Sequence, residues 1–156
     1  MDFYYPNRTN DFWYMMGLIY FNDRNRLLHP DTKLFDLDAI KRLLSEKGIA
    51  MNDTARKVIR LKGNASDKYL DIVEPVDLAS LTAQMPRLTD VATTGEKAAG
   101  VIAAQTGTEV PRMGEYMTSE SGLRIWRMPS TSRAYPLKLE KKADYYARML
   151  RTAGAL

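Results

Sequence analysis

Aromatic side chains crowd the start of the sequence, where they can stack on flat ligands. Residues 3–13 hold five aromatics, and three of them stand together in a stretch without helical signals: Phe3, Tyr4 and Tyr5. An aromatic face stacks on a nucleobase with about 1–3 kcal/mol per base. Asn10 lies in the same run, and its amide offers a donor and an acceptor to a base edge. These residues predict a nucleobase pocket, whereas Phe12 and Trp13 are expected in the core.

The loop of residues 128–136 is a second candidate site, dense in Ser, Thr and Pro. It follows a predicted strand, and α/β proteins bind ligands at the C-terminal ends of their strands. Its prolines stiffen the backbone, its hydroxyls can bond phosphate oxygens, and its arginine can bind a phosphate or enter a groove. The alternative is an ordinary connection into the last helix. The residues predicted to contact DNA are Pro129, Ser130, Thr131, Ser132 and Arg133.

Two shorter motifs also follow predicted strands. Asn52 can read a base edge and Asp53 can orient a ligand or a water, although Asp53 equally suits the cap of a turn. Thr93-Thr94-Gly95 opens a helix and can hold a phosphate on exposed amides, but it lacks a fuller glycine fingerprint. This last motif supports an alternative function, a small α/β domain that binds a free nucleotide.

Two composition facts exclude several kinds of site. The chain has no cysteine, which excludes disulfides, thiolate zinc sites, iron–sulfur clusters and a cysteine nucleophile. His29 is the only histidine, so two-histidine metal sites are excluded, and its turn-like surroundings predict a surface position. The charged residues of 138–148 are expected on the solvated face of the last helix.

Apolar spacing and caps predict the helices that position these residues. A first helix runs through Phe12 to Tyr20, with Thr9 or Asn10 as its cap. Asp36 and Gly48 bound a second helix over 37–47, and Asp77 caps a short third helix that Pro86 stops. A fourth covers 96–104. The last helix buries one face and ends at Gly154; the buried face is formed by Leu139, Ala143, Tyr146 and Leu150.

Strands are predicted at 49–51, 90–93 and 122–128, and a turn at 62–67. Strands that alternate with helices predict an α/β fold with a mostly parallel sheet covered on both faces. The 156 residues suit one domain, 1–156, and three strands are few for an α/β domain of this length. We therefore expect an element to be missing at the front.

Charge and hydropathy bound the partners and the compartment. The net charge is +4, a mild bias toward polyanions. The longest apolar stretch, 14–21, is far below the roughly 18 residues of a spanning helix, and the N-terminus has no basic segment followed by an apolar one. We expect a cytoplasmic protein with no membrane partner.

In order along the chain, these segments resemble the mismatch-specific branch of the uracil-DNA glycosylase superfamily. Residues 3–6 and 10–13 resemble a family segment that has an aromatic residue, a proline and then Asn-Arg-Phe-Trp. This chain has two extra residues in that segment. Residues 48–54 resemble its second strand and loop, and 91–97 its strand, glycine and Lys-containing turn. Residues 125–132 are similar to its strand leading into Leu-Pro-Asn-Pro-Ser-Gly. The resemblance covers nearly the whole chain.

The resemblance implies an α/β/α fold with a parallel sheet of about four strands, and a DNA repair hydrolase that excises a flipped uracil-like base. Phe3, with Tyr4 or Tyr5, would stack on the base, and Asn10, Asn52 and Asp53 would lie near it. Pro129 to Arg133 would press the minor groove and fill the space that the base leaves. DNA is the implied partner, and no metal or cofactor is needed.

The chain departs from the family at two places. Some relatives have a histidine at this point of the loop and use that histidine on the leaving base. The residue here is Met128. The family opens with a strand and a Gly-x-x-Pro-type loop that supplies a water-positioning Asn or Asp, and nothing here matches it. We expect that the start was assigned at an internal Met, because loss of a central strand would leave backbone groups unpaired. The catalytic residue is unassigned, and a noncatalytic nucleic-acid-binding relative is the alternative.

Overall fold

The computed structural model describes residues 1–60 and 70–156, with the backbone alone for 55–60 and 70–75. The chain divides into two compact units. Unit 1 combines Met1–Asn52 with Pro129–Leu156, and unit 2 is Asp53–Met128. The predicted turn at 62–67 lies outside the described residues.

The described residues form five helices and five strands. Each is numbered in chain order. They are α1 (Phe12–Phe21), α2 (Leu37–Lys47), β1 (Ala55–Arg60), β2 (Leu70–Pro75), α3 (Leu78–Ala83), β3 (Asp90–Thr94), α4 (Glu96–Thr106), β4 (Tyr116–Thr118), β5 (Arg124–Met128) and α5 (Leu139–Ala153).

Unit 1 is helical and is built on the packing of α1 against α5. The predicted face of α5 is confirmed, since Leu139, Ala143, Tyr146 and Leu150 are all buried. Phe12 meets Tyr146 edge-on, with ring centroids 6.2 Å apart. The Tyr20 hydroxyl donates to the Ala155 carbonyl at 2.8 Å, and burial raises the pKa of Tyr20 to about 12. The two ends of α1 are thereby held by the middle of α5 and by the residues just after it.

The ends of α2 fall where the sequence predicts them. The Asp36 side chain accepts from the Ala39 amide at 3.1 Å, and Gly48 adopts a left-handed φ of 68°. The Gly48 amide donates to Ser45 and the Ile49 amide to Leu44, which is the paired bonding of a Schellman motif. The strand predicted at 49–51 is wrong. The Ile49 amide closes the helix end, and residues 49–51 form neither strand nor helix.

Unit 2 contains two separate sheets. β1 and β2 pair antiparallel. The other sheet has the order β3-β5-β4, with β3 parallel and β4 antiparallel to β5. Helix α4 packs on β3 and β5, and Val76, Ile102 and Ile125 form the centre of this core. The strand predicted at 122–128 begins at Arg124, because 119–122 form the turn from β4.

The α/β class is confirmed. In the described residues the sheet with parallel pairing has three strands and is mixed. None of the helices in 1–60 and 70–156 is long and apolar enough to cross a membrane.

Candidate functional site

A buried ion pair joins the two chain segments of unit 1. Asp11, the N-cap residue of α1, and Lys142 on α5 have side chains that are 8% and 0% exposed. The Lys142 Nζ donates to Asp11 Oδ2 at 3.0 Å and to the Ser132 carbonyl at 3.0 Å. Arg133 Nε donates to Asp11 Oδ1 at 3.2 Å. Because an unpaired buried charge is costly, these bonds fix the loop against α1.

Backbone bonds align the loop with residues 8–11. The Asp11 amide donates to the Thr131 carbonyl at 2.8 Å, and the Arg133 amide donates to the Thr9 carbonyl at 3.2 Å. Asn10 and Ser132 form an antiparallel bridge between these two bonds. We call these contacts, together with the Asp11–Lys142–Arg133 cluster, the loop junction. It brings the predicted aromatic segment and the predicted DNA-contacting loop together.

The loop junction divides the five loop residues into buried and accessible ones. Pro129 and Thr131 are fully buried, and the Tyr146 hydroxyl donates to the Pro129 carbonyl at 2.7 Å. Burial raises the pKa of Tyr146 well above its ordinary value. These positions hold the loop, so a DNA contact by Pro129 or Thr131 stays a prediction.

Serines 130 and 132 are half-buried and support the loop backbone. Ser130 Oγ accepts from the Ser132 amide at 3.2 Å, and Ser132 Oγ accepts from the Ala134 amide at 3.3 Å. Each hydroxyl keeps its own proton to donate. Arg133 is half-exposed and offers the charged group of this loop to a ligand.

The aromatic segment packs on α1 and stays half-buried. Phe3 contacts Tyr4 edge-on at 5.1 Å and Trp13 at 6.1 Å between ring centroids. Tyr5 stacks on Phe12, with centroids 4.5 Å apart and planes 19° apart. The Trp13 Nε1 donates to the Tyr4 carbonyl at 2.9 Å. Phe12 and Trp13 are buried as predicted, and they support the three rings before them.

Asn10 uses one end of its amide to begin α1. Its Oδ1 accepts from the Phe12 amide at 2.9 Å, so Asn10 provides a side-chain cap although the N-cap residue is Asp11. The NH₂ group of the same amide has two donors. Asn10 is therefore suited to a ligand that presents acceptors, such as a base carbonyl.

Asn52 and Asp53 stand at the boundary between the two units in the sequence. Asn52 is the last residue of unit 1, Asp53 is the first of unit 2, and both are exposed. The contacts of the loop junction described above involve neither residue. Their predicted place beside a base stays a prediction.

The third motif uses its polar groups inside unit 2. Thr93 is buried, and its hydroxyl donates to the Trp126 carbonyl at 2.8 Å. The Gly95 amide donates to the Met128 carbonyl at 3.0 Å. Gly95 has a φ of 99° and a ψ of 166°, a combination open mainly to glycine. The motif thus joins β3 to β5, and fewer of its polar groups are left to bind a phosphate.

An open cleft of about 320 Å³ lies elsewhere in unit 1. Its wall includes Pro6, Arg8, Asp36 and Asp38, and His29 lies 3.8 Å from Asp36, Nδ1 to Oδ2. The predicted surface position of His29 is confirmed. The cleft includes none of the predicted base-binding side chains.

Sequence reasoning missed the role of Lys142. The charges of 138–148 were expected in solvent, yet Lys142 is the most deeply buried charged group among the described side chains. A signal was present, because Lys142 lies three residues after Leu139 and four before Tyr146, on the apolar face itself. Its partner, from the other segment of unit 1, was not visible in the sequence.

A second polar network, in unit 2, was also missed. Arg124 donates to both Asp90 oxygens, at 2.7 and 2.9 Å, and Trp126 Nε1 donates to Asp90 Oδ2 at 2.7 Å. Thr89 donates to Oδ1 at 2.6 Å. Burial alone would raise the pKa of Asp90, but these bonds and the Arg124 charge together lower it. Asp90 and Arg124 face each other in the β3–β5 register, which the sequence does not reveal.

In comparisons with protein-family models, curated proteins and solved structures, nothing matches this chain. Among the side chains of 1–54 and 76–156, which are the ones the structure describes, no three of His, Cys, Asp or Glu are grouped to hold a metal ion.

Proposed function

We propose that the chain recognises a uracil-like base flipped out of DNA and hydrolyses its N-glycosidic bond, as a relative of the mismatch-specific uracil-DNA glycosylases with their α/β/α fold and four-stranded parallel sheet. The loop junction is the observation that supports this most. A base-flipping enzyme needs a stacking surface for the base beside a loop that enters the DNA. Here Asn10 and Ser132, from the segment and the loop that would serve these purposes, are bridge partners.

The chemistry assigns a role to each side of the junction. The half-buried rings of Phe3, Tyr4 and Tyr5 form the stacking surface, and the Asn10 NH₂ donates to a base carbonyl. In the reaction the C1′–N bond breaks, the water oxygen bonds to C1′, and the departing base takes up a proton. Negative charge grows on the base as it leaves, so an amide donor already held in place stabilises that charge.

The activity is tested with a labelled duplex that contains one G:U mispair. We expect release of uracil, seen as strand cleavage at that position after alkali treatment, and no cleavage of a matched G:C duplex. Intact strands at enzyme excess would contradict a glycosylase.

Base recognition is tested separately with Asn10→Asp. Aspartate keeps the oxygen that accepts from the Phe12 amide, because Asp caps helices as well as Asn does. It replaces the NH₂ donors by an acceptor, which opposes a base carbonyl. We expect the preference for G:U over G:C binding to fall by about tenfold or more, since a lost hydrogen bond that leaves a polar group unpaired costs about 1–3 kcal/mol.

Asn7→Asp is the matched control, since it makes the same change of charge at an exposed position three residues earlier. It is expected to keep the G:U preference. An equal loss in both variants would show a general charge effect and would remove Asn10 from the proposed pocket.

A second candidate is a noncatalytic DNA-binding relative. It is favoured by one observation, that the sequence holds no Gly-x-x-Pro motif to position a water. It predicts G:U binding by fluorescence anisotropy that falls with salt. Binding without alkali-labile sites would support this candidate over the glycosylase.

A further inference from the structure

Two arginines from different segments of unit 1 meet at one aromatic ring. The Arg24 Cζ lies 5.4 Å from the centroid of the Tyr14 ring, and the Arg133 Cζ lies 5.6 Å from the same centroid. The ring itself is almost completely buried, whereas both arginines are exposed. The contacts hold two cationic groups close together at the surface.

Arg24 returns to α1 because Gly17 leaves room for the chain. The Asp23 carbonyl lies 2.6 Å from the position of a Cβ at Gly17, so no side chain fits there without movement of the backbone. The Asp23 amide bonds to the Gly17 carbonyl at 3.4 Å, and Asn22 takes a left-handed φ of 53°. The turn after α1 therefore folds back over the helix and places Arg24 on Tyr14.

Arg133 is fixed by bonds at two of its nitrogens. Its Nε donates to Asp11 and one terminal nitrogen donates to the Arg8 carbonyl at 2.9 Å. Since Lys142 also pairs with Asp11, the three groups carry a formal net charge of +1. The only member with a half-exposed side chain is Arg133, and it presents this charge to solvent.

The acidic side chain next to Arg24 in the sequence bonds to the backbone instead. Asp23 is adjacent in the chain, and its Oδ1 accepts from the Asn25 amide at 2.9 Å. Among the described residues, Arg24 is in no ion pair with a carboxylate. The Arg8 guanidinium is directed elsewhere, since one of its terminal nitrogens donates to the Lys33 carbonyl at 3.4 Å.

We propose that Arg24 and Arg133 form a phosphate-binding pair that grips the backbone of the bound DNA. This inference depends on the proposed function, since it takes DNA as the ligand. The two Cζ atoms are at most about 11 Å apart, because each lies within 5.6 Å of the Tyr14 centroid. Phosphates of one strand recur every 3.4 Å or so along the helix axis, so the pair spans at most about three nucleotides.

The pairing also explains why the arginines are held on a ring. A guanidinium is planar and carries five N–H donors, and those that Arg24 and Arg133 do not use within the chain match phosphate oxygens. Arginines ordered in advance lose less conformational entropy on binding. Such contacts add affinity without reading sequence.

The test measures DNA affinity by fluorescence anisotropy for Arg24→Ala across a series of salt concentrations. One phosphate contact contributes a slope of about 0.9 in magnitude to the plot of log affinity against log salt concentration. It therefore adds about eightfold in affinity at 0.1 M salt relative to 1 M salt. We expect Arg24→Ala to weaken G:U and G:C duplexes equally, by about that factor, with the slope reduced by about 0.9. Arg24→Lys is expected to recover most of the slope because it keeps the charge.

Arg148→Ala is the control, because it removes the same charge from an exposed position on α5. Equal effects of Arg24→Ala and Arg148→Ala would overturn the phosphate-binding pair while leaving the proposed function in place. Wild-type protein that binds neither duplex would overturn both proposals. Circular dichroism of each variant verifies that the fold is retained.

Discussion

Lys142 has no exposed side-chain surface, yet it carries a charge. Burial removes its hydration, and its two acceptors, the Asp11 carboxylate and the Ser132 carbonyl, replace that hydration in part. The bonds join α5, the loop and the first turn of α1 at a single nitrogen. The stability of unit 1 and the position of the loop thus depend on the same side chain.

We expect Lys142→Met to destabilise the protein by about 3–5 kcal/mol, since it leaves a buried carboxylate without its main partner. Urea unfolding measures the change. Lys141→Met, at the exposed neighbouring position, is expected to stay within about 0.5 kcal/mol of wild type.

The double variant Asp11→Asn, Lys142→Met removes both charges of the pair. It is expected to be more stable than Lys142→Met alone, because no unpaired carboxylate remains. Failure to recover any stability would contradict the ion pair as the source of the loss.

Asp90 gives unit 2 a dependence on pH. Its folded pKa is lowered, so the stability it contributes is present above its unfolded pKa of about 3.9 and is lost as the pH falls through the lower folded value. We expect Asp90→Asn to cost about 2 kcal/mol at pH 7 and less at pH 3, because the unfolded wild-type carboxylate binds a proton below about pH 3.9 and folding must then release it. Urea unfolding at both pH values, followed by tryptophan fluorescence, measures this.

Glu115→Gln serves as the comparison, because Glu115 is an exposed carboxylate of unit 2. It is expected to show little change at either pH. A cost of Asp90→Asn that is the same at pH 3 and pH 7 would contradict the role of its charge.

At the scale of elements, local signals fixed the helices and failed for some strands. The bounds of α2 are predictable because Asp36 and Gly48 act through bonds within a few residues of themselves. Residues 49–51 have strand-like composition, but the Ile49 amide is already bonded to Leu44. β4 is short and exposed, so no apolar pattern marks it.

The candidate site shows the same limit. The sequence indicated residues 3–13 and 129–133 separately, from their composition. It did not indicate that Asp11 bonds to Lys142, since the two are 131 residues apart and only the folded chain brings them together. Buried Pro129 and Thr131 could not be told from their accessible neighbours for the same reason.

Two helical glycines make a matched test of the turn after α1. Gly17→Ala would place a Cβ 2.6 Å from the Asp23 carbonyl, whereas a Cβ at Gly100 in α4 meets nothing within 4 Å. We expect Gly17→Ala to destabilise by about 1–3 kcal/mol, as overpacking does, and Gly100→Ala to stabilise by about 0.5–1 kcal/mol. Thermal unfolding compares them, and equal shifts would contradict the close approach at Gly17.

At the scale of the whole molecule, the two units differ in the depth of their cores. Most of the buried apolar side chains among the described residues belong to unit 1, including Trp13, Met15 and Ile40. Among the described side chains of unit 2, the buried members of the central cluster are Val76, Ile102 and Ile125. Local stability follows the number of buried apolar contacts.

We therefore expect the amides of α1 and α5 to exchange with solvent more slowly than those of α4. Hydrogen exchange followed by mass spectrometry of peptides from each helix measures this without any substitution. Equal protection in the three helices would show a single cooperative unfolding of both units.

Unit 1 is formed by two separate segments of the chain, Met1–Asn52 and Pro129–Leu156, and this affects the order of folding during synthesis on the ribosome. Residues 1–52 emerge before unit 2, whereas Lys142 emerges after it. The ion pair between Asp11 and Lys142 can therefore form only after unit 2 has emerged. Domains usually fold as they emerge, N-terminal part first. Here unit 2 is complete earlier, and α1 lacks its contacts with α5 until the last residues of unit 1 are made.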